Sequence, residues 1–216
     1  MTTDYNNFAK TFSKSRKNMK WEELEYFFSC LQQGSILDIG CGSGRLIEQY
    51  TLFFSENIEN YYGVDMSSGL IDEAQISFPE ENFAVGNMLD IQKLLGEKTF
   101  NNIFLIASFH HLETLEQREI MMKKLFQVCK PDGKIYMTNW ALESQAHLEK
   151  YKHAKIKKTE NKFGSSDFNI KFGDHDRFYH SFSISELAHL ADISGFMVIE
   201  NRLFDNEKNI VTILKK

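Results

Sequence analysis

The run Ile36-Leu37-Asp38-Ile39-Gly40-Cys41-Gly42-Ser43-Gly44 couples an apolar stretch to a glycine-spaced turn that opens a helix. Glycine carries no Cβ, so Gly40, Gly42 and Gly44 can take positive φ and let a ligand lie against bare peptide. The helix expected from Arg45 leaves its first N–H groups without partners, available to a polar or negative ligand group. A Gly-x-Gly-x-x-Gly spacing would point to a dinucleotide and its pyrophosphate. Here the spacing is Gly-x-Gly-x-Gly, with the acid Asp38 inside the strand end. A carboxylate repels phosphate, so a ligand with an amino group, or with a cationic centre and no phosphates, fits better. Alone, the run is equally an ordinary strand-to-helix turn. A second acid, Asp65, ends the stretch Tyr61-Tyr62-Gly63-Val64, about 20 residues on, where a ribose-binding acid sits in doubly wound nucleotide folds.

These residues need a sheet with one ligand-binding edge, and the rest of the chain supplies its rhythm. Apolar positions at Trp21, Leu24, Phe27, Phe28 and Leu31 predict a helix over 19–33, ended at Gly34. Helices are expected over 45–54, over 68–78 after a serine cap and before Pro79, in a short piece over 91–95, over 115–129 and over 183–194. Strands are expected over 61–64, 83–86, 103–108, 134–138, 197–203 and 210–214. This alternation means an α/β fold with a parallel sheet and helices on both faces. After Asn139 the rhythm breaks: residues 144–176 are polar and lysine-rich with little apolar periodicity, and read as an insertion.

At 216 residues and 42% hydrophobic content the chain suits one domain, 1–216, with a sizeable core. No apolar run is long enough to span a bilayer and no signal peptide is evident, so a cytoplasmic location and no membrane partner are expected. Cys30, Cys41 and Cys129 form no Cys-x-x-Cys pair, so neither disulfides nor a structural metal is expected. Cys41 reads as a small space filler. The net charge of −5 is unevenly spread. Lys10, Lys14, Arg16, Lys17 and Lys20 form one acid-free basic segment, and Lys150, Lys152, Lys155, Lys157, Lys158 and Lys162 a second with Glu160 as its one acid. Basic patches on an acidic body suit a polyanionic partner, though a solvated lysine-rich face is the plain alternative.

Asp38, the three glycines and Asp65 together resemble the S-adenosylmethionine-dependent methyltransferases of the Rossmann-like class. The likeness continues through Phe83-Ala84-Val85-Gly86-Asn87-Met88, the turn Lys130-Pro131-Asp132-Gly133, and Ile103 to Leu112 with its His110-His111-Leu112 end. The resemblance implies a class I fold with a central, mostly parallel seven-stranded sheet, and S-adenosyl-L-methionine as cofactor. It assigns cofactor binding to Arg16, Asp38, Gly40, Gly42, Gly44, Asp65, Met66, Asn87, Met88, Ile106 and Ala107.

Three further segments resemble the tRNA wobble-uridine methyltransferases that esterify 5-carboxymethyluridine. These are Tyr5-Asn6-x-Phe8-Ala9-x-x-Phe12-Ser13-x-Ser15-Arg16-Lys17-x-x-x-Trp21, Asn139-Trp140-Ala141-Leu142-Glu143, and Arg177-Phe178-Tyr179-His180-x-Phe182. The chain departs from that pattern at Phe178, where a tyrosine is expected, and in 205–210, which lacks an aromatic residue. The likeness implies tRNA as partner, and a small activator subunit as in eukaryotic members. A carboxymethyl group is ionised near neutrality, its pKa being about 4. Its methylation therefore needs donors that orient it rather than a base. Arg177, Tyr179, His180 and His111 are the expected catalytic residues, and Trp140, Tyr5, Lys14 and Lys17 the expected substrate contacts. Of His110 and His111, one is expected to face the cofactor pocket, and the other is equally a structural hydrogen-bonding residue. The rival expectation is a small-molecule O- or C-methyltransferase of the same fold, in which His110, His111 or His180 would act as base. A third is a catalytically silent binding subunit, against which the intact cofactor residues speak.

Overall fold

The computed structural model describes residues 21–156, 161–173 and 175–216. In chain order these form α1 (Glu22–Ser29), β1 (Ile36–Ile39), α2 (Arg45–Phe54), β2 (Tyr61–Asp65), α3 (Ser68–Ser77), β3 (Asn82–Val85), α4 (Ile91–Leu95) and β4 (Phe100–Ile106). There follow α5 (Leu115–Val128), β5 (Cys129–Trp140), α6 (Gln145–Tyr151), β6 (Ser166–Phe172), β7 (His175–Ser181), α7 (Ile184–Ile193), β8 (Met197–Leu203) and β9 (Asn209–Lys215). Seven strands make one sheet in the order β3-β2-β1-β4-β5-β9-β8. The first five neighbours run parallel, and β9 and β8 are antiparallel. The α/β, mostly parallel architecture expected from the sequence is present.

Strand alternation divides the core between the two faces. Leu37 and Ile39 of β1, Ile103 and Leu105 of β4, and Ile135 and Met137 of β5 pack with Met121, Met122 and Leu125 of α5 and Leu187 and Leu190 of α7. Ile36, Phe104, Tyr136, Val211 and Ile213 point the other way, against Leu24, Phe27 and Phe28 of α1 and Leu46 and Ile47 of α2. Local chemistry starts the helices where they are needed. Ser67 accepts from Leu70 N–H, Thr114 and Gln117 form a reciprocal capping box, and Ser183 accepts from Glu186 N–H.

The structure corrects three expectations. Helix α1 ends at Ser29, with Cys30 as its cap, five residues short of Gly34, and its expected first residues lie outside the described ones. Strand β5 begins at Cys129, directly after α5, so the expected Lys130–Gly133 turn is the bulged start of the strand. There Asp132 takes φ 62° and the pairing with β4 shifts register between Phe100 and Asn102. The stretch 144–176 is not without structure: it carries α6 and most of the antiparallel hairpin β6–β7, with Phe168 and Ile170 turned inward between exposed Asn169 and Lys171. Phe168, Tyr179 and Leu142 close a small third core with Trp140, Tyr151 and Ile170.

Candidate active site

The carboxyl ends of β1, β2, β4 and β5 meet on one edge of the sheet, the edge at which open α/β folds bind ligands. At the end of β1, Gly40, Gly42 and Gly44 take φ 80°, 54° and 82°. A Cβ on Gly40 would lie 2.5 Å from that of Ser108, whereas one on Gly42 would meet nothing within 4 Å, so the turn is closed behind and open in front. Gly40 and Cys41 N–H donate to Val64 O at 2.7 and 3.1 Å, and Ser108 Oγ donates to Ile39 O at 2.7 Å.

Two acids face this cradle. Asp38 is 3% exposed, and Tyr61 donates to its Oδ2 at 2.9 Å. Burial pushes its carboxyl up to about 7, against the lowering effect of the Tyr61 bond, and nearby Asp65 adds to the rise. Asp65 accepts from Gly42 N–H on Oδ2 and from Ser67 N–H on Oδ1, both at 2.9 Å, and burial raises its pKa as well. Met66 N–H adds a third backbone bond to this carboxylate, which leaves it acceptor capacity for a hydroxyl. A buried carboxyl with one neutral partner beside an open glycine turn fits a ligand that carries a cation. Met66 is exposed beyond β2, Asn87 caps the following turn by accepting from Leu89 N–H, and Met88 is half-buried. Ile106 ends β4, and Ala107 turns at φ 51° with its N–H held by Thr138.

Next to the cradle lies an aromatic and imidazole cluster that the hairpin completes. Trp140 stacks on Tyr179 with centroids 4.9 Å apart and planes 14° apart, and His147 and Tyr151 of α6 approach Trp140 at 5.8 and 6.0 Å. Such pairs add about 0.5–1.5 kcal/mol beyond their buried area. His110 and His111 lie edge to face at 4.5 Å, with Tyr179 at 5.0 and 4.7 Å. Backbone partners fix their tautomers. Trp140 N–H donates to His110 Nδ1 at 3.1 Å, so the His110 proton is on Nε2. His111 Nδ1–H donates to Phe178 O at 2.8 Å, leaving Nε2 to accept from Arg177 Nη2 at 3.5 Å. Burial, with the Arg177 guanidinium second, brings His111 down to about 4. Burial, then His111 and Arg177, brings His110 well below the usual histidine range. Arg177 also covers the Tyr179 ring at 5.2 Å.

The structure thus joins His111, Arg177, Tyr179 and Trp140, and it sets His180 apart from them. Alternation along β7 turns His180 to the other face of the hairpin, where Nδ1 meets Asp167 at 2.6 Å and Nε2 meets Glu186 at 2.9 Å. With both nitrogens taken, His180 is a tie within the fold, contrary to the catalytic placement expected from sequence. Glu186 in turn pairs with Arg118 of α5 at 3.4 Å, and Arg118 donates to Leu112 O at 3.0 Å. Sequence reading missed this network and the His147–Tyr151 wall. The signal for the first was the alternation Ser166-Asp167-Phe168-Asn169-Ile170, which marks β6. Tyr5, Lys14, Arg16 and Lys17 lie outside the described residues. Among the described residues no His/Cys/Asp/Glu group is arranged to hold a metal, the three cysteines are free, and no helix is long and apolar enough to cross a membrane.

Residues 37–137 match the model of the family described as a methyltransferase domain. A putative methyltransferase of Encephalitozoon cuniculi is 24% identical over 215 residues, 98% of this chain and 93% of that one. The tRNA (carboxymethyluridine(34)-5-O)-methyltransferase of Arabidopsis thaliana is 31% identical over 142 residues, 65% of this chain and 32% of the relative. A malonyl-[acyl-carrier protein] O-methyltransferase of Priestia megaterium is 30% identical over 161 residues, 71% of this chain and 56% of that one. The chain therefore spans about a third of the Arabidopsis protein and just over half of the Priestia one. In structure it superposes with a TM-score of 0.72 and 13% identity, over 98% of this chain and 95% of the other, on a chain of the complex between the Haloferax volcanii Trm112 methyltransferase activator and a putative methyltransferase. Sheet order, glycine cradle and relatives agree: the chain carries a methyltransferase domain over residues 37–137 and has the fold of the class I S-adenosylmethionine-dependent methyltransferases.

Proposed function

We propose that the chain methylates a carboxylate, and that its acceptor is the carboxymethyl group of a wobble uridine in tRNA. One observation carries the reading: the groups gathered beside the cradle are a guanidinium, a phenol and two neutral imidazoles, one of them at about 4. An imidazole that weakly basic is a poor general base at neutral pH, and His180, clasped by two carboxylates, is no better. A hydroxyl or carbon acceptor would need such a base; a carboxylate is ionised already. The names of the relatives point the same way, since carboxymethyluridine and malonyl groups both carry a carboxylate.

In this reading Asp38 and Asp65, the glycine turn, Met66, Asn87, Met88, Ile106 and Ala107 hold S-adenosylmethionine, which supplies a methyl group on a sulfonium. Arg177 and Tyr179 orient the acceptor, His111 holds the Arg177 guanidinium in place through Nε2, and Trp140 walls the pocket. With the cofactor held there, an ionised acceptor oxygen kept in line by Arg177 and Tyr179 would take the methyl group, the C–O bond forming as the C–S bond breaks and its electron pair staying on sulfur. No proton moves. Positioning and exclusion of water then supply most of the acceleration. The exposed Lys150, Lys152, Lys155 and Lys162 flank the hairpin and suit a polyanion. An activator subunit belongs to the same proposal, supported by the likeness to a chain solved in complex with Trm112.

A second reading, a malonyl-type carboxylate on a carrier, is favoured by the Priestia relative and shares the same chemistry. The test is transfer of tritiated methyl from the cofactor to tRNA carrying 5-carboxymethyluridine, with and without Trm112. An ester releases volatile methanol in mild alkali, whereas a methyl on carbon, nitrogen or an ether oxygen stays bound. Alkali-stable label would overturn the carboxylate reading; label on malonyl carrier and none on tRNA would move it to the second.

A further inference from the structure

We propose that the Nε2–H of His110 is a hydrogen-bond donor to the acceptor carboxylate, closing on it opposite Arg177; this rests on the carboxylate reading above. The Trp140 N–H occupies Nδ1 and so places the proton on Nε2. That Nε2 is buried with no hydrogen-bond partner among the described residues, in a side chain only 1% exposed. A buried donor left unpaired is costly, so a group that pairs with it on binding gains correspondingly.

Its surroundings say which group. His110 lies two residues beyond Ser108, which touches the glycine turn and binds Ile39 O, and its ring adjoins Tyr179, His111 and Trp140. The donor therefore lies between the cofactor cradle and the hairpin that brings Arg177. A neutral donor suits a nucleophilic carboxylate: it fixes one oxygen without protonating it and leaves the other to attack. Burial keeps this imidazole neutral across the physiological range. A structural rival exists, an N–H resting on the face of Tyr179 as a weak contact.

The test uses the full chain with S-adenosylhomocysteine and 15N-labelled histidine. NMR should show one histidine, lost in His110→Phe, with Nε2 protonated and Nδ1 bare from pH 5 to 8. Its Nε2–H should move downfield on addition of 5-carboxymethyluridine nucleoside and stay put with uridine. In kinetics on carboxymethyluridine tRNA, His110→Phe should lower kcat/KM about 10- to 100-fold, the range for one hydrogen bond to a charged group. His110→Gln, which keeps a side-chain N–H, should recover part of that loss, with cofactor affinity by calorimetry within about twofold of wild type. A resonance equally indifferent to both nucleosides, or a His110→Phe enzyme as active as wild type, overturns the proposal. If the wild-type protein binds cofactor but methylates no carboxylate, the functional reading fails, while the nucleoside titration still decides for or against the donor.

Discussion

In the proposed reading, Asp38 sets the pH at which the cradle is ready for a cation. Burial holds its carboxyl near 7, so below that value it is largely neutral and offers a sulfonium or ammonium group little attraction. A cationic ligand prefers the ionised form, so cofactor affinity should rise as pH increases from about 6 to 8 and then level off. Calorimetry should show that rise in the wild type. Asp38→Asn should abolish it and weaken binding at pH 8 by at least tenfold, about 1.4 kcal/mol. Gly40→Ala should fail differently, because its Cβ would press on Ser108 at φ 80°. Left-handed strain alone costs about 1–2 kcal/mol, which for a chain of this size lowers the melting temperature by several degrees, and cofactor binding should go with it. These positions were legible in the sequence because their chemistry is local: a turn, its glycines and an acid at the strand end. His180 was not, since what defines it is Asp167 and Glu186, brought to it by a hairpin and a helix cap.

In the proposed reading, the hairpin β6–β7 is the element that gives the sheet edge its side for a second substrate. It lends Arg177 and Tyr179 to the cluster on one face, and on the other it is clamped to α7 and α5 by His180, Asp167, Glu186 and Arg118. Burial by itself would lower the His180 pKa, but the bonds to Asp167 and Glu186 outweigh it and raise it. Burial likewise opposes ionisation of Glu186, yet His180 and its other hydrogen-bond partners bring it down to about 2. The histidine contribution is whole below its unfolded pKa of about 6.5 and is lost as pH rises through the raised folded value. The Glu186 contribution is whole above its unfolded value of about 4.5 and is lost as pH falls toward 2. The clamp should therefore be tightest between about pH 4.5 and 6.5. In urea titrations the gap in stability between wild type and His180→Asn should be larger at pH 6 than at pH 9. Glu186→Ala, which strands Arg118 and His180, should cost about 3–5 kcal/mol and lower kcat as the hairpin loosens. The sheet was readable from its alternation of strands and helices, but the lysines and polar residues of 144–176 hid a short helix and two strands. Among the described side chains of β6, Phe168 and Ile170 are the apolar ones on its inward side, beside buried Ser166, too few to stand out against that composition.

At the scale of the whole molecule, an acidic body with a net charge of −5 offers its cations in patches. Lys152 and Lys155 are already paired with Glu149 and Glu143, whereas Lys150 and Lys162 extend over the rings of Tyr151 and Phe163. Replacing Lys150 and Lys162 by Glu should raise KM for tRNA several-fold, leave kcat nearly unchanged and flatten the salt dependence of binding by roughly one to two counterions. A carrier-bound or small-molecule acceptor would not feel those changes. The identity of the acceptor decides the chemistry, and nucleoside mass spectrometry reads it directly. Bulk tRNA from cells lacking wobble methyl esters is incubated with the protein, S-adenosylmethionine and Trm112, then digested. 5-Carboxymethyluridine should gain one methyl group, and Arg177→Ala should lose the gain while still binding cofactor. An unchanged 5-carboxymethyluridine pool, with cofactor binding intact and the activator present, would contradict the proposed acceptor.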